Sequence, residues 1–154
     1  MTTLPPTTDS SLAALSAQEC RALLGLSAVG RIAFIADSLP VVLPVNYRLM
    51  SDELGIWIVL RTRSGNIIDQ APPQVAFEID GVNYDNRTGW SVLVQGALHH
   101  LDHNEVELFR QRFDPKPWPD PSRAAWLAIK PHTITGRRLL AAESEWELSS
   151  DAYL

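Results

Sequence analysis

Within six residues, Arg61, Thr62, Arg63, Ser64, Gly65 and Asn66 gather two guanidiniums, two hydroxyls and a glycine. An anion is held best by backbone N–H groups and by the planar fork of charged donors that arginine carries, with glycine letting the chain come close. The chemistry this string suits is recognition of a phosphate. No GxxxxGK[ST] occurs and no GxGxxG follows a strand, so neither a nucleoside triphosphate loop nor a dinucleotide fingerprint explains it. The competing reading makes Arg61 and Arg63 outward residues of a strand end and Ser64 the cap of a following helix.

Three strands lead polar groups to this point. They are a run opening VGRIAF at Val29, a second ending PVNYR and a third reading GIWIVLRT. Before them, Ser16 and Glu19 have capping-box spacing, and Leu15, Cys20, Leu23, Leu24 and Leu26 form an apolar stripe of helical period, with Gly25 and Gly30 bracketing its end. After them, Asn66 to Gln70 reads as a short helix stopped by Pro72 and Pro73. QVAFEID is a fourth strand, and residues 81–89 are a polar loop. GWSVLVQGALHHL is a long fifth strand whose Gly96 marks a bulge. A helix is predicted from Asp102 to Phe113, and DPKPWPDPS is too proline-dense for regular structure. WLAIKP and TITGRRLLAA form a sixth strand with a break at Pro131.

The fold class predicted is therefore mainly β with short helices: six antiparallel strands in a closed or nearly closed barrel, since closure removes exposed edges. Residues 1–14, rich in Thr, Ser and Pro, are expected to be a flexible arm, 15–142 the domain, and 143–154 an acidic tail.

The 154 residues suffice for one domain with one core. No run approaches the ~20 apolar residues of a membrane span, so no membrane insertion is expected. The opening residues lack the basic start and apolar block of a secretory signal, and the single cysteine, Cys20, has no internal partner. A reducing cytoplasm is the expected compartment. A formal charge of −5 argues against a nucleic-acid partner, although the arginine pairs 61/63, 110/112 and 137/138 leave room for local anion sites.

His99, His100, His103 and His132 raise the question of a metal, but neighbouring strand residues point to opposite faces, so His99 and His100 do not share one ion. No metal site is expected, and a single axial histidine for haem stays open. Trp57 and Trp90 sit in alternating apolar runs suited to a core as much as to a platform. Cys20, on the apolar helix face, reads as a small buried hydrophobe.

The strings VGRIAF, PVNY, a strand ending RT with a following SG, VAFEID, GWSVLVQG, a late PW and ITGRR follow one another over roughly residues 16 to 140. In this order they resemble the FMN-binding split-barrel proteins of the pyridoxamine 5′-phosphate oxidase-like superfamily. The resemblance implies a homodimer with two flavin sites at the subunit interface. It implies that Pro44, Val45, Asn46 and Tyr47 lie against the isoalloxazine ring, and that Arg61, Thr62, Arg63, Ser64 and Gly65 hold the phosphate. Asn66 stands where many relatives carry a lysine. Trp90, Ser91 and Gln95 resemble residues near the flavin edge, and Trp118 and Arg137 positions contributed late in the chain, across the dimer interface.

Under this resemblance the expected activity is FMN-dependent transfer of hydride or electrons between a nicotinamide or other electron donor and a small or planar substrate. The flavin carries the chemistry and the protein supplies position and electrostatics. No Ser-His-Asp, Cys-His or paired-acid arrangement is needed, and no catalytic side chain is assigned. Oxidation of pyridoxamine phosphate itself is not expected, because the chain ends in the acidic ESEWELSSDAYL where a substrate phosphate calls for cations. The alternatives are a deazaflavin-dependent reductase, against which the scarcity of lysine argues, and a non-catalytic module that holds flavin or haem.

Overall fold

Apolar residues at alternate positions give most strands one buried face, while Ile58–Leu60 and Leu127–Ile129 are buried on both faces, and the sheet they form curls until its ends meet. The computed structural model describes residues 12–112 and 124–140. Its elements are β1 (Leu12–Ala14), α1 (Ala17–Leu26), β2 (Val29–Ala36), β3 (Leu39–Asp52), β4 (Gly55–Arg63), β5 (Gln74–Asn83), β6 (Thr88–His100), α2 (His103–Arg112) and β7 (Ala124–Leu139). The strand order is β1-β7-β4-β3-β2-β5-β6, and a further pairing of β6 with β7 closes the ring. Every pairing is antiparallel.

The six strands read from the sequence are β2 to β7. A seventh corrects that count. Leu12–Ala14, inside the segment expected to be a flexible arm, pairs with Arg137, Arg138 and Leu139 at the far end of β7. The shift expected at Gly96 is present, between Gln95 and Gly96 on β6, opposite Pro131 and Thr133. Because β7 absorbs that shift as an irregularity, it runs through Pro131 as one strand of 16 residues, without the expected break.

Inside the ring, Ile32, Phe34, Ile58, Leu60, Phe77, Ile79, Val92, Val94, Leu127 and Ile129 form the core. Each such side chain contributes roughly 1.5–3 kcal/mol on burial. Helix α1 plugs one end with Cys20 and Leu24, both fully buried, as the apolar stripe predicts. Its start is the capping box read from the sequence. Ser16 Oγ accepts the Glu19 N–H at 3.2 Å, and Glu19 Oε2 accepts the Ser16 N–H at 2.8 Å. The helix packs so closely on β7 that a Cβ at Gly136 would lie 2.6 Å from Cys20 Sγ. Only glycine fits there without movement.

Candidate functional site

The β3–β4 ladder runs from the Asp52–Gly55 pair to the Tyr47–Leu60 pair and stops. Among the described residues, β3 from Leu39 to Asn46 pairs only with β2, and β4 from Arg61 to Arg63 only with β7. The barrel is split at this point. Two strand edges, with unpaired N–H and C=O groups of the kind that invite a partner, diverge from Tyr47 and Leu60. Pro44, Val45 and Asn46 lie on one edge; Arg61, Thr62 and Arg63 lie on the other and run into Ser64, Gly65 and Asn66. The two groups singled out from the sequence thus border one opening.

Alternation on β3 decides what each residue offers. Pro44 and Asn46 are exposed, whereas Val45 is half-buried and packs on the core. Tyr47 is only 2% exposed. Its ring meets Phe77 edge-on at 4.8 Å, and its hydroxyl donates to Leu24 O at 2.7 Å. The Tyr47 phenol is therefore a core group, and the expectation that it faces a planar ligand is corrected: only its main chain borders the split. Burial pushes the phenol's pKa up.

On β4, Arg61 pairs with Trp126 of β7, and its guanidinium carbon lies 5.6 Å from the indole centre, within cation–π range. Arg110 of α2 lies 5.9 Å from the same ring. Arg63 and Ser64 are exposed at the strand end. Among the described residues neither Arg61 nor Arg63 forms an ion pair with a carboxylate. The Arg61 guanidinium is occupied by the Trp126 ring, and that of Arg63 is exposed at the strand end.

The segment after β4 is a set of turns, and the short helix expected over Asn66–Gln70 does not form. Asn66 caps these turns. Its Oδ1 accepts the N–H groups of Ile68 at 3.0 Å and Asp69 at 2.9 Å, while its Nδ2 donates to Thr62 Oγ1. Gln70 N–H then donates to Asn66 O at 3.2 Å and Ala71 N–H to Ile68 O at 3.1 Å, before Pro72 and Pro73 stop the turns from becoming a helix. Buried Ile68 anchors the turns to the core. Without a helix there is no macrodipole at this point, and the positive charge here is that of side chains. The amide of Asn66, where many relatives of the resembled family carry lysine, is spent on holding the loop's shape.

Gly65 adopts a left-handed conformation with φ of 80°, which a side chain would resist. Its N–H donates to Asp69 Oδ2 at 2.6 Å, and Gln70 Nε2 donates to its carbonyl at 3.2 Å. The other Asp69 oxygen accepts a hydrogen bond from His100 Nε2 at 2.7 Å. The Gly65 N–H, and secondarily His100, hold the Asp69 carboxyl below the usual carboxylate range. The side chain of Asp69 is 15% exposed and that of His100 60%. Neither Asp69 nor this role of His100 was found from the sequence. They come from a loop and from the end of β6, and no spacing rule links them.

The remaining candidates lie elsewhere. Arg63 stands beside Ala124 at the start of β7, whereas Trp90 and Arg137 sit at the opposite end of that strand, opposite Arg138 and Ser91 respectively. The Trp90 indole lies over Gly81, where a Cβ would come within 2.7 Å of it. With Arg138 it lines an open groove of about 480 Å³. The Gln95 side-chain oxygen accepts a hydrogen bond from Thr133 Oγ1 at 3.2 Å. On the β6–β7 ladder Trp90 and Arg137 thus lie at the end of β7 away from Arg63, and Gln95, opposite Thr133, lies about midway along it. Trp118 lies outside the described residues. His99 and His100 diverge as alternation requires, His99 onto Trp57 at 5.4 Å and His100 to Asp69.

Comparison with known proteins joins this geometry to a family. A sequence profile described as pyridoxamine 5′-phosphate oxidase matches residues 16–138. An uncharacterized protein of Mycobacterium tuberculosis, Rv0080, is 30% identical over 135 residues, covering 82% of this chain and 85% of that protein. Among solved structures, the FAD binding protein from Mycobacterium smegmatis is 30% identical with a TM-score of 0.72, over 83% of this chain and 98% of that one. A conserved protein of unknown function from Corynebacterium diphtheriae shares the fold at 21% identity and a TM-score of 0.72, over 84% of this chain and 99% of its own. With most of its length matched by the profile and by a relative at this identity, the chain belongs to the pyridoxamine 5′-phosphate oxidase-like family.

Proposed function

We propose that the protein is a flavin-dependent oxidoreductase acting as a homodimer, with the flavin held in the split between β3 and β4. The observation that carries this reading is the split itself. It has an edge of Pro44, Val45 and Asn46 on one side, and on the other two guanidiniums without a carboxylate partner among the described residues. The 30% identical FAD binding protein supports a flavin as the ligand. When bound, a flavin supplies hydride or single-electron transfer through its ring. Arg61 and Arg63 would bind the phosphate portion with charge-assisted hydrogen bonds, Ser64 would add a hydroxyl, and Thr62, through Asn66, would keep the loop in shape. The β3 edge would place its main-chain groups against the ring, with Pro44 and Asn46 excluding water. No side chain of the described residues needs to act as nucleophile.

A homodimer fits the face that the ring leaves bare. On the outer side of β2, β3 and β6, Val29, Ile35, Val42 and Leu93 are each 40% exposed or more, around an ion-paired centre in which Arg31 meets Glu78 at 2.9 Å and Asp80 at 3.1 Å. Exposed apolar residues grouped on one sheet face mark a contact surface. A second copy covering it would also be the source of late-chain residues such as Arg137, which the single chain keeps away from its own split. The substrate class expected is small or planar, with a nicotinamide or comparable electron donor.

The test is the visible absorption of the purified protein, mass identification of any chromophore released on denaturation, and stopped-flow reduction by a nicotinamide. A released flavin whose bound form is reduced and then reoxidised over many turnovers supports the reading. A bound flavin that does not turn over with any acceptor leaves a binding module. A protein that neither carries nor takes up flavin refutes it.

A further inference from the structure

Resting on the flavin reading, we propose that Asp69 determines which flavin the loop accepts, favouring the pyrophosphate diester of FAD over the terminal phosphate of FMN. The residues that form the phosphate side of the split include one carboxylate, and it is not peripheral. Asp69 Oδ2 accepts the Gly65 N–H at 2.6 Å, and that amide is the loop's glycine donor, the group expected to meet a phosphate oxygen. His100 fixes the carboxylate from the other side at 2.7 Å, so it is tied at both oxygens.

Two consequences follow for a phosphate beside this loop. The first is a lost donor: with the Gly65 N–H engaged, the incoming phosphate is left with Arg61, Arg63 and the Ser64 hydroxyl. The second is charge. A terminal phosphate monoester carries about two negative charges at neutral pH on one phosphorus, and needs three oxygens satisfied. The ribityl phosphate of FAD carries one charge, because a second of its oxygens is taken by the anhydride bond to the adenylyl phosphate. A carboxylate a few ångströms away therefore repels the monoester about twice as strongly as it repels that phosphate of the diester. The cations on this side are Arg61, Arg63 and Arg110, the last over the same Trp126 ring as Arg61, and Asp69 offsets one of their charges. That offset weighs more on the dianionic monoester than on the singly charged phosphate of the diester. The Asn66 amide sharpens the effect, since the side chain at that position adds no cation and is committed to Thr62, Ile68 and Asp69.

The experiment is a fluorescence-quenching titration of the flavin-free full-length protein with riboflavin, FMN and FAD, repeated on Asp69→Asn and Asp69→Ser. Asparagine keeps an acceptor for the Gly65 N–H and removes the charge; serine is a smaller neutral replacement. Far-ultraviolet circular dichroism and melting verify that each variant is folded. The expected result is that the wild type binds FAD about tenfold or more tightly than FMN, and that both variants raise FMN affinity by about tenfold. Riboflavin affinity should be unchanged and FAD affinity changed less than about threefold. A wild type that holds FMN as tightly as FAD, or a FAD-to-FMN ratio that neither variant alters, overturns the role of Asp69 while riboflavin binding leaves the flavin reading standing. Failure of all three flavins to bind any of the three proteins overturns both.

Discussion

The Tyr47 hydroxyl donates to the main-chain carbonyl of Leu24 at 2.7 Å, joining the strand that borders the split to the helix that plugs the barrel. Leu24 O lies in the last turn of α1, where carbonyls have no partner further along the helix, so this phenol satisfies a group that would otherwise be orphaned. Tyr47 also marks the last pair of the β3–β4 ladder. One residue thus closes the core and begins the opening. Tyr47→Phe removes only the hydroxyl and leaves a buried carbonyl unpaired, so stability should fall by about 1–3 kcal/mol. Equilibrium urea unfolding of the two proteins measures this, and an unchanged midpoint would mean that water replaces the phenol.

Asn66 orders the loop after β4 through three hydrogen bonds. Asn66→Ala should lower stability by roughly 1–2 kcal/mol, as losing an Asx cap does, and should weaken flavin binding by loosening Arg61 to Gly65. Asn66→Lys, which restores the charge many relatives have there, should fail to tighten binding because it removes the same three bonds. Thermal melts paired with flavin titrations check both, and a gain in affinity for the lysine variant would show that charge outweighs loop order.

Asp69 carries a pH dependence whose sign follows from its contacts. Its carboxyl sits below the ordinary value of 3.8 because the Gly65 N–H, then His100, favour the ionised form. A carboxyl depressed in the folded state adds stability that is present above the unfolded value and lost as pH falls through the folded one. Asp69→Asn should therefore be less stable than wild type at pH 6, and the gap should shrink below pH ~4 as the wild type loses its advantage. Urea unfolding of both proteins at pH 6 and pH 3 measures the gap. A constant difference would mean that the carboxylate's charge plays no part in holding the loop.

The bare face of β2, β3 and β6 should respond to a buried charge. Val42 is 61% exposed in the single chain, so Val42→Asp costs little in a monomer. In a dimer that covers this face it strands an unpaired carboxylate and should drive dissociation. Sedimentation velocity should show wild-type dimers and variant monomers at the same concentration. Identical sedimentation of the two would place the interface elsewhere.

Much of the fold was legible in the sequence because its signals are local. The apolar run IWIVL, the alternation of QVAFEID and the Ser16–Glu19 capping box each declare an element within a few residues, and the structure has those elements. Three residues of LAA carry no such signal. β1 exists only because Gly136 lets α1 sit on β7 and the chain just before the helix then meets Arg137 to Leu139. The Asn66–Gln70 span has a helix-start cap at Asn66, but Pro72 and Pro73 follow too soon for a helix to continue, so it closes as turns. At the site, the strand edge and the arginines could be read from motif order. The inward turn of Tyr47 and the Asp69–His100 contact could not, since the first depends on register and the second joins residues 31 apart.

The most direct test is to titrate FAD and riboflavin into the wild-type protein and into a variant carrying Arg61→Ala with Arg63→Ala, following flavin fluorescence. Charge-assisted hydrogen bonds contribute about 1.5–3 kcal/mol each, so the double variant should bind FAD more than tenfold more weakly, while riboflavin, which has no phosphate, binds both proteins alike. Equal FAD affinity in the two proteins, or no binding of either flavin to the wild type, would contradict a phosphate-anchored flavin in the split.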